Sequence, residues 1–415
     1  MMNATPEFFN VQPVETALAS LFALWEPARR AVMLDVRESR GKVLAAAAVS
    51  PIDLPEFRRS TVDGYAVRAA DTFGASQSLP AYLTCVGSVP MGAPPTCSVA
   101  LGQAVEIFTG GMLPDGADAV VMVERTQALG TEEIEVLAPV APGENVIQVG
   151  EDVRRGEPIL PVGHRLRAQD VGGLLAVGVL SVEVIDPPRV GILCGGDELI
   201  PPEVQPQPGQ IRDINAYTLA GLVEAAGGTP LLLGIGRDDF EDYYARAETG
   251  LRQVDVLVMT SGSSISTRDL TRAVIERLGA PGVIQHGLAV KPGKPTLIGL
   301  CEGKPVIGLP GNPVSALLVA RQILVPVLRR ALGEAPRPPA VIHAALTANI
   351  ASTSGREDTV PVRLFERDGT RFAEPVFGKS NLIYTLLRAD GLVQVPLNSG
   401  GIRAGALVEV MPFDD

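Results

Sequence analysis

The chain has 415 residues, 46% hydrophobic and 20% charged, which is a globular composition long enough for two to four domains. Its 35 basic and 47 acidic side chains leave a formal charge of −12, which excludes a broad nucleic-acid surface, since neutralising phosphates needs clustered Lys and Arg. Four cysteines without a C-x-x-C pair, and only His164, His286 and His343, exclude a Cys/His zinc site. The cysteines read as small core residues of a reducing compartment. The opening segment MMNATPEFFNVQPVETALASL lacks the basic-then-apolar order of a secretory signal. No apolar run reaches membrane-spanning length. The expectation is a cytoplasmic protein with no membrane or nucleic-acid partner.

Residues 14–25 carry Leu18, Leu21, Phe22 and Trp25 at helical spacing, and Pro27 marks the end of that helix. Residues 51–148 are rich in Gly, Pro and Thr with short alternating runs (103–108, 119–124), a β-rich domain. Residues 26–50 and 149–178 link it to the next domain, with a helix from 168 to 178. From 179 to 333 strands alternate with helices. Strands are expected at 189–194, 231–235, 255–260 and 305–309, and helices at 217–226, 239–250, 269–278 and 312–332. That alternation predicts a parallel α/β sheet buried on both faces. Residues 1–25 are expected to pack on this domain. A Pro-rich linker at 334–339 precedes a small β domain, 340–415. The fold class is therefore α/β and β, multidomain.

Ligands of open α/β sheets bind at the carboxyl ends of strands. After the expected strands come Gly195-Gly196-Asp197-Glu198, Arg237-Asp238-Asp239, Ser261 through Asp269, and Pro310-Gly311-Asn312-Pro313. The segment Lys291-Pro292-Gly293-Lys294-Pro295 lies between the last two. On one rim these would bring together carboxylates, two lysines and a helix start. Crowded carboxylates call for a cation, and oxygen donors without histidine favour Mg²⁺. Asn312 suits an N-cap and Pro313 the first helical position, so that free N–H groups face an anion. Each piece alone has a plainer reading: Asp238-Asp239 as a helix cap, Lys-Pro-Gly-Lys as a solvated turn, Gly-Asn-Pro as a helix start. The combination points to a Mg²⁺-phosphate site.

Ordered segments along most of the chain resemble the MoeA-type molybdopterin molybdotransferases, which include the gephyrin E-domain. They include Asp63-Gly64-Tyr65-Ala66 with its flanks, Ile107-Phe108-Thr109-Gly110, Gly196-Asp197-Glu198-Leu199 and Gly209-Gln-Ile-Arg-Asp213-Ile-Asn215. Lys291-Pro-Gly-Lys294-Pro, Gly308-Leu-Pro-Gly-Asn-Pro-Val-Ser-Ala316 and Arg388-Ala-Asp390-Gly391 follow. The resemblance implies a molybdopterin-binding-like α/β domain and an elongated homodimer. It also implies Mg²⁺-dependent insertion of molybdate into adenylylated molybdopterin, with release of AMP. By resemblance, Glu198, Asp238 and Asp269 serve the metal and phosphate region, and Lys291 and Lys294 hold anionic oxygens. Asp63 and Thr109 approach from the partner subunit. Ser261, Gly262, Pro310, Gly311, Asn312, Pro313 and Ser380 line the cofactor side. Other molybdenum cofactor biosynthesis proteins or apo-molybdoenzymes are further partners that this implies.

Two departures touch the phosphate end. Ser261 through Asp269 is one residue shorter than the family's glycine-rich loop, with Ser263 and Ser266 where glycine is expected, and Gly287 replaces a lysine. The shortened loop favours the alternative, a non-catalytic molybdopterin-binding or scaffold protein on the same fold.

Overall fold

A computed structural model describes residues 10–130, 132–261 and 265–413. The chain forms two compact units: Met33–Arg40 with Ala46–Glu183, and Met1–Val32 with Gly41–Ala45 and Val184–Asp415.

The first unit is built on a six-stranded sheet. Its strand order is Ala119–Met122, Gly64–Val67, Gln103–Ile107, Ala81–Ser88, Glu133–Val136, Thr126–Leu129. Pairs of neighbouring residues point to opposite faces, and both faces are covered. Val67, Ala104 and Val121 enter one core, while Ala66, Val105 and Val120 enter another. Gly64 is required by close approach: a Cβ there would lie 1.9 Å from the Val121 carbonyl oxygen. A short helix, Ala168–Ala176, is capped through Asp170, which accepts from the Arg167 backbone N–H and guanidinium and pairs with His164 at 2.7 Å.

The second unit begins with α1 (Val14–Leu24), whose Ala17 and Leu21 are fully buried in the main core. Then come β1 (Arg189–Gly195), α2 (Asn215–Ala225), β2 (Thr229–Gly236), α3 (Phe240–Gln253), β3 (Val256–Ser261) and α4 (Ile265–Leu278). They are followed by β4 (Pro281–His286), β5 (Leu297–Cys301), β6 (Lys304–Pro310) and α5 (Pro313–Leu332). The sheet order is β2-β1-β3-β6-β5-β4. The all-parallel sheet expected from the sequence is corrected here. β2, β1, β3 and β6 are parallel, but β5 runs antiparallel to β6 and β4 antiparallel to β5. A Gly/Pro-rich connection returns the chain without a crossover helix, so no parallel strand can form there. α5 ends at Gly333, whose left-handed backbone (φ 63°) lets the last carbonyls accept from Gly333 and Glu334.

The chain ends in a small barrel: β7 (Ile342–Leu346), β8 (Glu357–Arg367), β9 (Thr370–Pro375), β10 (Gly391–Val395) and β11 (Leu407–Pro412). The order β8-β9-β7-β11-β10 closes because β10 also pairs with β8. The two-residue strand Val290–Lys291, from the α/β half, pairs in parallel with the start of β8. No described helix is long and apolar enough to cross a membrane.

Candidate functional site

The carboxyl ends of the four parallel strands lie in register: Gly195 beside Gly236, Cys194 beside Thr260, Ser261 beside Pro310. The segments that come after them share one edge of the sheet. The glycines at this edge make room for one ring. A Cβ on Gly195 or Gly236 would lie 2.9 or 2.5 Å from Tyr243, whose hydroxyl donates to the Thr260 carbonyl at 2.9 Å. The loops after β1 and β2 meet, because the Asp238 N–H donates to Asp197 Oδ1 at 3.2 Å. The Glu198 carboxylate folds back over Gly196, where a Cβ would stand 2.6 Å from Oε2. Asp239 takes the plainer role: its carboxylate caps α3 by accepting from the N–H groups of Glu241 and Asp242. Asp238 is exposed, and Asp269 is exposed just past the first turn of α4.

Among the described residues, no three Asp, Glu, His or Cys side chains form a group that could hold a metal. Glu198 and Asp238 thus share an edge without forming a finished cage. Their donors are all oxygen and half or fully open. Such a set fits Mg²⁺ held by one or two carboxylates, with water and substrate phosphate completing the shell.

A cavity of about 870 Å³ lies between the α/β sheet and the barrel. Four cations line it: Lys291 and Lys294 from the sheet side, Arg356 and Lys379 from the barrel side. Among the described residues that line it, Asp358 is the one carboxylate. It is 3% exposed, with Arg356 Nε at 2.9 Å from Oδ1 and Lys291 Nζ at 3.7 Å from Oδ2. Strand pairing produces this meeting, for Lys291 and Asp358 are register partners. The turn between the two lysines needs glycine. Gly293 has φ +113°, and a Cβ there would lie 2.0 Å from Val319 of α5.

The structure therefore brings Ser261, Lys291, Lys294, Pro310, Asn312 and Ser380 to one cavity. Glu198, Asp238 and Asp269 do not line it. Pro313 occupies the first position of α5, and Asn312 stands at the N-cap. The capping role expected for the Asn312 side chain is corrected: it makes no cap hydrogen bond and donates instead to Ser380 Oγ at 3.1 Å. The Ser380 carbonyl accepts from the Val314 N–H at 3.1 Å, so one of the N–H groups expected to face an anion is already engaged. Gly311 is held from behind, its carbonyl accepting from Asn215 Nδ2 at 2.8 Å. Gly262, Ser263 and Ser264 of the shortened loop lie outside the described residues.

Asp63 and Thr109 belong to the other unit, where they meet each other. Oδ1 of Asp63 accepts from the Thr109 N–H at 2.7 Å and from its hydroxyl at 2.8 Å. These donations hold the Asp63 carboxyl below the usual carboxylate range. Sequence reasoning does not mark Arg356 and Asp358, whose one signal is Arg356-Glu-Asp358 after the Ser354-Gly355 turn. Lys379 stands in Gly378-Lys379-Ser380, which sequence reasoning sets aside as a phosphate loop because Ala373 replaces its first glycine.

The strand-edge carboxylates and the cation-lined cavity belong to the same α/β-containing unit. Comparison with known proteins narrows the class. The MoeA N-terminal region (domains I and II) matches residues 12–178. A probable molybdopterin binding domain matches 191–330 and the MoeA C-terminal region (domain IV) matches 343–413. A putative molybdopterin biosynthesis protein of Methanocaldococcus jannaschii is 33% identical over 386 residues, covering 91% of each chain. The molybdopterin molybdenumtransferase of Haemophilus influenzae is 31% identical over 387 residues, 92% of this chain and 93% of that protein. The crystal structure of the molybdopterin biosynthesis MoeA protein of Pyrococcus horikoshii OT3 superposes with a TM-score of 0.85 at 32% identity, covering 97% of this chain and all of that one. This chain belongs to the MoeA family, an enzyme family of molybdenum cofactor biosynthesis.

Proposed function

We propose that this protein is a molybdopterin molybdotransferase, taking adenylylated molybdopterin and molybdate to molybdenum cofactor with release of AMP. The observation that carries this reading is the cavity's charge. Among the described lining residues, four cations stand with a single carboxylate inside a chain whose net charge is −12. Such a local concentration suits a dianionic oxyanion together with a phosphorylated ligand. Lys291, Lys294 and Arg356 would bind and orient the oxyanion, and Lys379 the phosphate. The hydroxyls of Ser261 and Ser380 would donate to ligand oxygens. Glu198 and Asp238 would hold Mg²⁺, with water and ligand phosphate completing the shell, and the ion when bound neutralises charge on the pyrophosphate and its AMP leaving group. Among the described residues, Asp269 forms no metal-holding group with them. The fixed lysines do the same at the cavity end without reorganisation.

A homodimer would complete the site, with Asp63 and Thr109 supplied by the second copy. Mixing Asp63→Ala with Glu198→Ala subunits should then restore one native site per heterodimer. No recovered activity despite proven subunit exchange would count against sharing. The reaction itself is tested by AMP release from adenylylated molybdopterin with and without molybdate. Tight binding of the pterin with no AMP release would establish the non-catalytic alternative instead.

A further inference from the structure

Asp358 is an oddity in a cavity built for anions. It is buried, it faces the interior, and it occupies two of the four cations that an oxyanion would use. Its fold role is slight. The backbone of Asp358 pairs with Lys291 on one side and Val395 on the other, and this pairing is indifferent to the side chain. Gln322 holds the neighbouring Thr359 hydroxyl at 2.9 Å, so the strand is anchored without the carboxylate.

We propose that Asp358 is an affinity-setting residue: a built-in carboxylate that competes with the bound oxyanion for Lys291 and Arg356. This rests on the reading of the cavity as an oxyanion site. Two effects of removing the charge oppose each other. Arg356 loses one hydrogen-bond partner and some orientation. Against that, the cavity loses a full negative charge carried by a buried carboxylate that touches two of the cations lining it. The charge effect wins, because it acts on both charges of a dianion held by those same cations, while a single side-chain hydrogen bond contributes modestly. The resident carboxylate therefore weakens oxyanion binding. It also leaves Lys291 and Arg356 with a carboxylate partner when the oxyanion departs.

The test uses the full chain and sodium molybdate, with sodium sulfate as a second dianion, in calorimetric titrations at fixed ionic strength. Asp358→Asn, which keeps the shape, should bind molybdate at least tenfold more tightly than wild type, and sulfate should tighten as well. Asp358→Ser gives the same charge change with smaller volume and should also tighten binding, which covers a failure of the first variant to fold. A merely structural role would weaken binding in both variants, so weaker or unchanged affinity in the folded variants overturns the proposal. Arg356→Ala separates the two readings. If wild type binds neither dianion and Arg356→Ala changes nothing, the oxyanion cavity itself is wrong. If wild type binds and Arg356→Ala weakens it while both Asp358 variants fail to tighten, only the role of Asp358 falls.

Discussion

Gly293→Ala is the sharpest probe of how the cavity is built. Gly293 stands between Lys291 and Lys294 with φ +113°, a conformation that costs an L-residue about 1–2 kcal/mol. The added methyl would lie 2.0 Å from the Val319 side chain. Val319 is fully buried on α5, so it has no open space to turn into. Overpacking of this kind costs about 1–3 kcal/mol. The two costs together reach about 2–5 kcal/mol, which for a unit of this size lowers the midpoint of thermal unfolding by roughly 5–15 °C. Differential scanning calorimetry reads that shift, and the molybdate titration reads displacement of the lysines. Combining Gly293→Ala with Val319→Ala relieves the clash but not the backbone cost. The double variant should therefore be more stable than the sum of the singles by about 1 kcal/mol or more. A Gly293→Ala protein that melts within about 1 °C of wild type would refute the reasoning.

Arg356→Ala removes a charge-assisted donor worth about 1.5–3 kcal/mol, so molybdate affinity should fall about tenfold or more by calorimetry, and the melting temperature should drop because the buried Asp358 carboxylate loses its nearest partner. Glu198→Ala should abolish the Mg²⁺-dependent part of AMP release while stability stays within about 0.5 kcal/mol of wild type. Turnover unchanged across a Mg²⁺ titration would remove Glu198 from the site. Asp170 is held well below the usual carboxylate range, first by the Arg167 guanidinium, then by His164 and the Arg167 backbone N–H. Because its folded-state pKa is depressed, its stabilisation is fully present above the unfolded value of about 3.9 and is lost as pH falls through the lower folded value. Asp170→Asn should cost about 2 kcal/mol at neutral pH and flatten the acid limb of the stability curve, read by urea unfolding between pH 2 and 7.

Much of the α/β half is legible because its signals are local. Each parallel strand is a short apolar run ended by glycine or a polar loop, and each helix is bounded by a cap or a glycine. Expected strand 189–194 is found as Arg189–Gly195, and expected helix 312–332 as Pro313–Leu332. β4 and β5 escaped because Pro281, Gly282 and Gly299 break the periodicity that identifies strands. Asn312 shows the limit at the level of one side chain. Its residue type and position predict an N-cap, but its partner, Ser380, lies 68 residues away. Local rules say where an asparagine is favourable, whereas tertiary packing decides which hydroxyl it meets.

The cavity's charge makes the same point at larger scale. Lys291 and Lys294 are readable as a pair because they sit in one turn. Arg356 carries no local mark that joins it to the turn, and Gly378-Lys379-Ser380 has only the tail of a phosphate loop, with Ala373 where the first glycine is required. What joins Arg356 is the parallel pairing of Val290–Lys291 with Glu357–Asp358, which lays the start of β8 alongside the lysine turn, while Lys379 is brought in by its neighbour Ser380, held by Asn312 and the Val314 N–H. Two long-range contacts thus add two cations to a modestly basic turn. The same register inevitably seats Asp358 opposite Lys291. The carboxylate cannot be moved away without also breaking the pairing that delivers Arg356, two residues earlier. Oxyanion affinity and its internal brake are therefore two consequences of one strand register, and a chain could separate them only by changing the residue at position 358.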